Sequence, residues 1–282
     1  MSNVDILALA KEAQLAKQKN PSVIDATIGM FFDDDRQMII PQVKAAFNKI
    51  DVQNIFPYGT PSGGPQFEEN LIDWVFDDQT SFMQDNFLIS ALATPGGSGA
   101  LSVFFGTYGT PGESVLISDI RWRYDFFTDA ANLKIKSFKL FENDHFNLVD
   151  FKAQLDILTK QQHRVMVVIN DPCHNPTGYQ LSTQEWQSII EILNSYDQND
   201  MILIYDLAYF DFDPNGRYAS RANFAPLKAL KSHVSVLIAF SASKSFAIYG
   251  IRLGGAIGLF KTKEQQDYFK KKAHKTYSNI EN

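Results

Sequence analysis

Six apolar, β-rich runs recur along the chain: FLISALA (87–93), SVLISD (114–119), VMVVIN (165–170), MILIYD (201–206), VLIAFS (236–241) and GGAIGLF (254–260). Helical patterns such as ALSVFFGTY, LVDFKAQLDILTKQ and TQEWQSIIEILNSY lie between them. A strand that is apolar at nearly every position has to be covered on both faces, and helices between successive strands supply those covers. The expectation is an α/β fold with three layers, α/β/α, around a mostly parallel sheet.

The stretch before residue 40 lacks this rhythm. It reads as a helix, a glycine-containing turn at ATIGMFFDDD and an IIP leading into a new helix. With 282 residues, at the upper end of one domain, the chain divides into 1–40, an arm or part of a smaller domain, and 41–282, the large domain. The charged tail from 262 reads as helical and ends abruptly at Asn282.

Composition excludes several classes. Hydrophobic residues make up 45% and charged ones 21%, as in an ordinary globular protein. The net charge is −6 and the only dense basic run is KKK at 270–272, so nucleic acid is not expected as a partner. The lone Cys173 cannot form an internal disulfide, and the five histidines show no metal-ligand spacing, so no metal is expected. No apolar run approaches a membrane span, and ILALAKEAQLAK reads as an amphipathic helix rather than a signal peptide. A reducing, cytoplasmic location follows as the expectation.

In open α/β sheets ligands bind at the carboxyl ends of the strands. Here the runs are followed by TPGGSGAL, by IRWRY, by DPCHNPTG, by Asp206 with Tyr209 beyond it, and by SASK. Each element alone has a plain structural alternative. TPGGSGAL fails the GxGxxG and GxSxG patterns and reads equally as a turn or as a helix start able to hold phosphate. Lys244 and Arg252 could be a surface lysine and a salt-bridged arginine. SxxK with Ser241 would suit a serine hydrolase, but its SDN and KTG partners are absent. Asp206 could cap a helix, Trp122 could be core, and Asn175 could merely open a turn.

Taken together, an imine-forming amine, an anion cradle, a carboxylate, an aromatic plate and neutral donors suit one ligand, pyridoxal 5′-phosphate. Lys244 would hold its aldehyde and Arg252 its phosphate.

These motifs resemble the fold type I, class I/II aminotransferases, within the aspartate and aromatic aminotransferase branch, from about residue 25 to the end. The resemblance implies that Gly97, Ser98, Ser241, Ser243 and Arg252 surround the phosphate and that Trp122 stacks on the ring. It implies Asp206 at the ring nitrogen, Asn175 and Tyr209 at the phenolic oxygen, and Lys244 as the Schiff-base lysine. YGTPSGGPQF resembles the segment whose tyrosine, here Tyr58, reaches the cofactor of a partner subunit, and ATIGMFFDDD the turn whose glycine, here Gly29, approaches the substrate carboxylate.

The implied activity is transfer of an amino group from an amino acid to a 2-oxo acid by a homodimer. A β-lyase using the same cradle and a truncated, non-catalytic cofactor-binding protein are the alternatives. Three departures stand out. Phe32 occupies a position where aspartate aminotransferases carry arginine. Asp125 replaces a histidine three residues after the tryptophan, which leaves the partner of Asp206 open. The C-terminal part of the family, with most of the small domain, is expected to be missing.

Overall fold

The computed structural model describes residues 6–27, 29–33 and 36–281. Two compact units divide after Ile50. The first carries helix Ile6–Lys19, an antiparallel pairing of Phe32–Asp33 with Arg36–Gln37, and helix Pro41–Phe47. That last helix buries no side chain, and it falls in the first unit rather than in the large domain assigned to it from residue 41.

The second unit is built on a seven-stranded sheet. Its strands, in chain order, are β1 (Leu88–Pro95), β2 (Ser114–Ser118), β3 (Lys134–Phe138), β4 (Arg164–Asn170), β5 (Asp200–Asp206), β6 (Val234–Ser241) and β7 (Leu253–Phe260). Their spatial order is β1-β7-β6-β5-β4-β2-β3. β7 runs antiparallel to both of its neighbours and every other pairing is parallel.

Alternation along the strands explains the continuous apolar runs. In β4, Val165, Val167 and Ile169 join one core, while Met166 and Val168 join the other. The first core is closed by helices α1 (Gly64–Phe76), α4 (Leu148–Gln161) and α5 (Thr183–Asn194), and the second by α2 (Gly96–Tyr108) and α7 (Lys263–Glu281). Between them in the chain lie, among the described residues, four short helices: Thr80–Asn86, α3 (Asp125–Ala130), Arg217–Ala222 and α6 (Ala242–Ser245). The sheet is thus covered on both faces, as the apolar runs require.

Local signals set several boundaries. Ser182 and Glu185 form a reciprocal capping box at the start of α5, and the Asn147 side chain accepts from Asp150 N at the start of α4. β3 has no counterpart among the six apolar runs. Its sequence KIKSF sets Lys134 and Lys136 either side of Ile135 because it is an edge strand, paired among the described residues with β2 alone.

Candidate active site

Six strands, β1 to β6, point their carboxyl ends to one edge of the sheet, where antiparallel β7 begins. A cavity of about 230 Å³ opens there, lined by residues from five of those strand ends and from the turn before β7. Gly97, Ser98, Trp122, Asn175, Asp206, Tyr209, Ser241, Ser243, Lys244 and Arg252, ten of the residues singled out from the sequence, all line it.

One end of the cavity is an anion cradle. Helix α2 begins directly after Pro95 with no side chain capping its N-terminus, so its first N–H groups and the positive end of its dipole face out of the helix. Gly96 has φ +69, and a Cβ there would lie 2.8 Å from Arg252 Nη2; a Cβ on Gly97 would lie 3.2 Å from Ser241 Cβ. The glycines therefore let the helix start, the serines and the guanidinium close on one space. Arg252 itself has φ 55 and donates from Nη1 to Ser243 Oγ at 3.2 Å and to Tyr249 O at 3.3 Å. A non-glycine residue held in the left-handed region costs roughly 1 kcal/mol or more, and that cost is consistent with a position fixed by what the guanidinium has to reach.

Lys244 lies in α6, the single turn that follows β6. Its Nζ sits 5.4 Å from the centre of the Tyr209 ring and 5.0 Å from that of Tyr249. Burial, and then the charge of Arg252, lower its pKa, which favours the neutral amine.

The cavity lining also carries a single acid. Asp206, 6% exposed, ends β5. Tyr124 donates from its hydroxyl to Asp206 Oδ2 at 2.7 Å, and Ala208 N donates to Oδ1 at 3.0 Å. Burial raises the Asp206 pKa, and these two donors pull it back. Asn170, at the end of β4, donates from Nδ2 to the Asp206 carbonyl at 2.9 Å and accepts from Asn175 N at 2.7 Å. Asn175 Nδ2 and the Tyr209 hydroxyl are 3.5 Å apart, so two neutral polar groups sit side by side. Trp122 stands at the wall, stacked on Phe127 with centroids 5.8 Å apart and 29° between planes.

Three singled-out residues fall elsewhere. Tyr58 is fully exposed at 107% and lies outside the cavity of its own chain. Gly29 is exposed within the first unit. Asp125 pairs with Arg121 at 3.2 Å on the surface, so it is not the partner of Asp206. That partner is Tyr124, which the sequence reading passed over, as it did Asn170, Tyr249 and Leu101 in the lining. Asn170 obeys the rule that exposed Asp206, a polar residue closing an apolar strand.

Among the described residues, no group of His, Cys, Asp and Glu could hold a metal ion. No helix among them is long and apolar enough to cross a membrane.

A mostly parallel sheet covered by helices on both faces is the fold of the type I aminotransferases. The chain belongs to the class I and II aminotransferase family, whose model matches residues 21–274. It is 28% identical over 244 residues to the tyrosine aminotransferase of Klebsiella pneumoniae, covering 82% of this chain and 58% of that protein. An aminotransferase from Anaerococcus prevotii superposes with a TM-score of 0.91 and 29% identity over 100% of this chain and 70% of its own. The aromatic-amino-acid aminotransferase of Burkholderia pseudomallei, covalently bound to pyridoxal phosphate, has a TM-score of 0.81 at 21% identity, over 99% of this chain and 69% of that one, and so shares the fold. The chain spans about 58% of the length of the curated relatives it matches.

Proposed function

We propose that this chain holds pyridoxal 5′-phosphate and transfers an amino group from an amino acid to a 2-oxo acid. The observation that carries the reading is the single cavity in which Lys244, Asp206 and Arg252 meet the open start of α2. The donor set fits the cofactor. Cationic and hydroxyl donors gather where a Cβ on Gly96 would crowd Arg252, and one buried carboxylate lines the same cavity.

In this reading the phosphate is held by the first turn of α2 with Ser98, Ser241, Ser243 and Arg252, and Trp122 stacks on the ring. Asp206 faces the ring nitrogen, Asn175 and Tyr209 the phenolic oxygen, and Lys244 the aldehyde. When bound, the cofactor supplies an electron sink for negative charge at the substrate Cα. The Lys244 Nζ, whose pKa is lowered by burial and by the charge of Arg252, carries the proton as a general base. Asp206, accepting from Tyr124 and Ala208 N, is the acid that keeps a proton at the atom it faces.

A homodimer belongs to the same reading. Val52, Ile55 and Phe56 precede Tyr58, and all four are exposed, so this stretch offers an apolar surface for a second copy to cover. The lone Cys173 supports a reducing, cytoplasmic location.

Borohydride reduction of the chain loaded with pyridoxal phosphate, followed by peptide mass mapping, tests the reading. Modification of Lys244 and conversion of an amino acid to its oxo acid are expected. An unmodified Lys244 overturns it, and pyruvate with ammonia formed without an acceptor oxo acid replaces transfer with elimination. Mixed dimers of Tyr58→Phe and Lys244→Ala chains test the shared site through non-additive loss of phosphate affinity.

A further inference from the structure

The acid of this cavity has no cation. Among the described residues no salt bridge involves Asp206, although a buried carboxylate is costly unless something compensates it. Its side-chain oxygens have one donor each, the Tyr124 hydroxyl on Oδ2 at 2.7 Å and Ala208 N on Oδ1 at 3.0 Å. The backbone donor belongs to the turn itself. Tyr124 comes from the segment between β2 and α3, and at 1% exposed it is shielded from solvent.

We propose that Tyr124 is a positioning residue of this site, holding Asp206 as a fixed, charged acceptor for the ring nitrogen of pyridoxal phosphate while bracing the stacking face of Trp122. The proposal rests on the cofactor reading above. Its second half stands on the same side chain, whose ring meets Trp122 edge-on, centroids 5.5 Å apart at 85°. The Tyr124 backbone is itself tied down. Its N–H donates to Trp122 O at 2.8 Å, and its carbonyl accepts from Phe127 N at 3.0 Å and Thr128 N at 3.2 Å where α3 begins. One residue thus fixes the plate and the acid together.

The chemistry of the donor matters. The titratable side chains facing Asp206 are Tyr124, from the turn before α3, and Tyr209, beyond β5, with Lys244 lining the same cavity. Burial and the Asp206 charge push both tyrosines up, so both stay neutral donors where an imidazole would titrate. Asp206 then ionises without either tyrosine changing charge beside it, and protonation of the ring is not coupled to the titration of its donor.

The test compares the full-length chain with Tyr124→Phe and Tyr124→His, each loaded with pyridoxal phosphate carrying an NMR-visible ring nitrogen. Borohydride capture at Lys244 in the parent comes first, and its failure overturns the cofactor reading and the proposal together. With capture established, Tyr124→Phe is expected to lose ring-nitrogen protonation at lower pH than the parent. It is also expected to bind the cofactor roughly ten- to a hundredfold more weakly, the worth of a hydrogen bond to a charged group. Tyr124→His is expected to recover part of that affinity and to add a second titration step. A Tyr124→Phe protein whose ring-nitrogen titration and affinity match the parent, changed only in melting temperature, overturns the proposal. If Tyr124→Phe does not fold, a Tyr124→His protein without the added step does so instead.

Discussion

Asp171 and Asp206 stand one strand apart, just past β4 and at the end of β5, and a backbone bond of 3.3 Å from Asp171 N to Asp206 O ties their turns together. Both are buried, at 1% and 6% exposed. Asp171 is saturated: Leu181 N donates to Oδ1 at 2.6 Å, and Trp186 Nε1, Asn223 Nδ2 and the Tyr205 hydroxyl converge on Oδ2 at 2.9, 3.3 and 3.5 Å. Asp206 has two donors and an open cavity. Burial pushes Asp171 up to about 6 against all four of its donors. A carboxylate held by four donors is a fastener for the loop it starts, whereas one held by two and facing a cavity is poised for a ligand.

That contrast can be broken most sharply at the cavity. Lys244→Ala is expected to cut amino-group transfer on the order of a thousandfold while leaving the unfolding transition near that of the parent, checked by turnover and calorimetry side by side. Next, Asp171→Ala strands four buried donors and is expected to cost about 3 kcal/mol of stability, read by denaturant unfolding; an unchanged midpoint would undo the contrast. Asp206→Asn is expected to do the reverse, weakening cofactor binding roughly ten- to a hundredfold by equilibrium titration while costing under about 1 kcal/mol of stability.

The smallest effect separates the two regions by pH. His174, in the saturated loop, is buried with Nδ1 2.9 Å from Thr177 Oγ1, and burial lowers its pKa from 6.5 to about 4. Between those values the unfolded chain binds a proton that the folded chain refuses, so stability falls as pH drops through the window. With the ring partly screened by solvent, about 1 kcal/mol of this is expected to vanish in His174→Gln. Unfolding curves of both proteins across that range check it.

The layers and most of the cavity were legible because both are written locally. An uninterrupted apolar run demands two covers, and a polar residue that ends such a run must emerge at the ligand edge, as Asp206 and Ser241 do. β3 was not legible, since an edge strand with lysines either side of Ile135 lacks the uninterrupted run. Tyr124 was not legible for a different reason. Its partner lies 82 positions away, and nothing near RWRYD marks one aromatic as a donor to a distant acid. Asp125 drew attention by its place in a motif, yet its side chain turned to Arg121 four residues back.

The pairing of β1 with β7 has a consequence for synthesis. Among the described residues, β7 is the one sheet neighbour of β1, with Pro95 opposite Leu253 and Leu88 opposite Phe260. A nascent chain therefore leaves β1 unpaired until β7 has left the ribosome, and closing so long a loop is slow. The start of α2 meets Arg252 only after that closure, so the two sides of the anion cradle come together no earlier than the emergence of Arg252, 156 positions after Gly96.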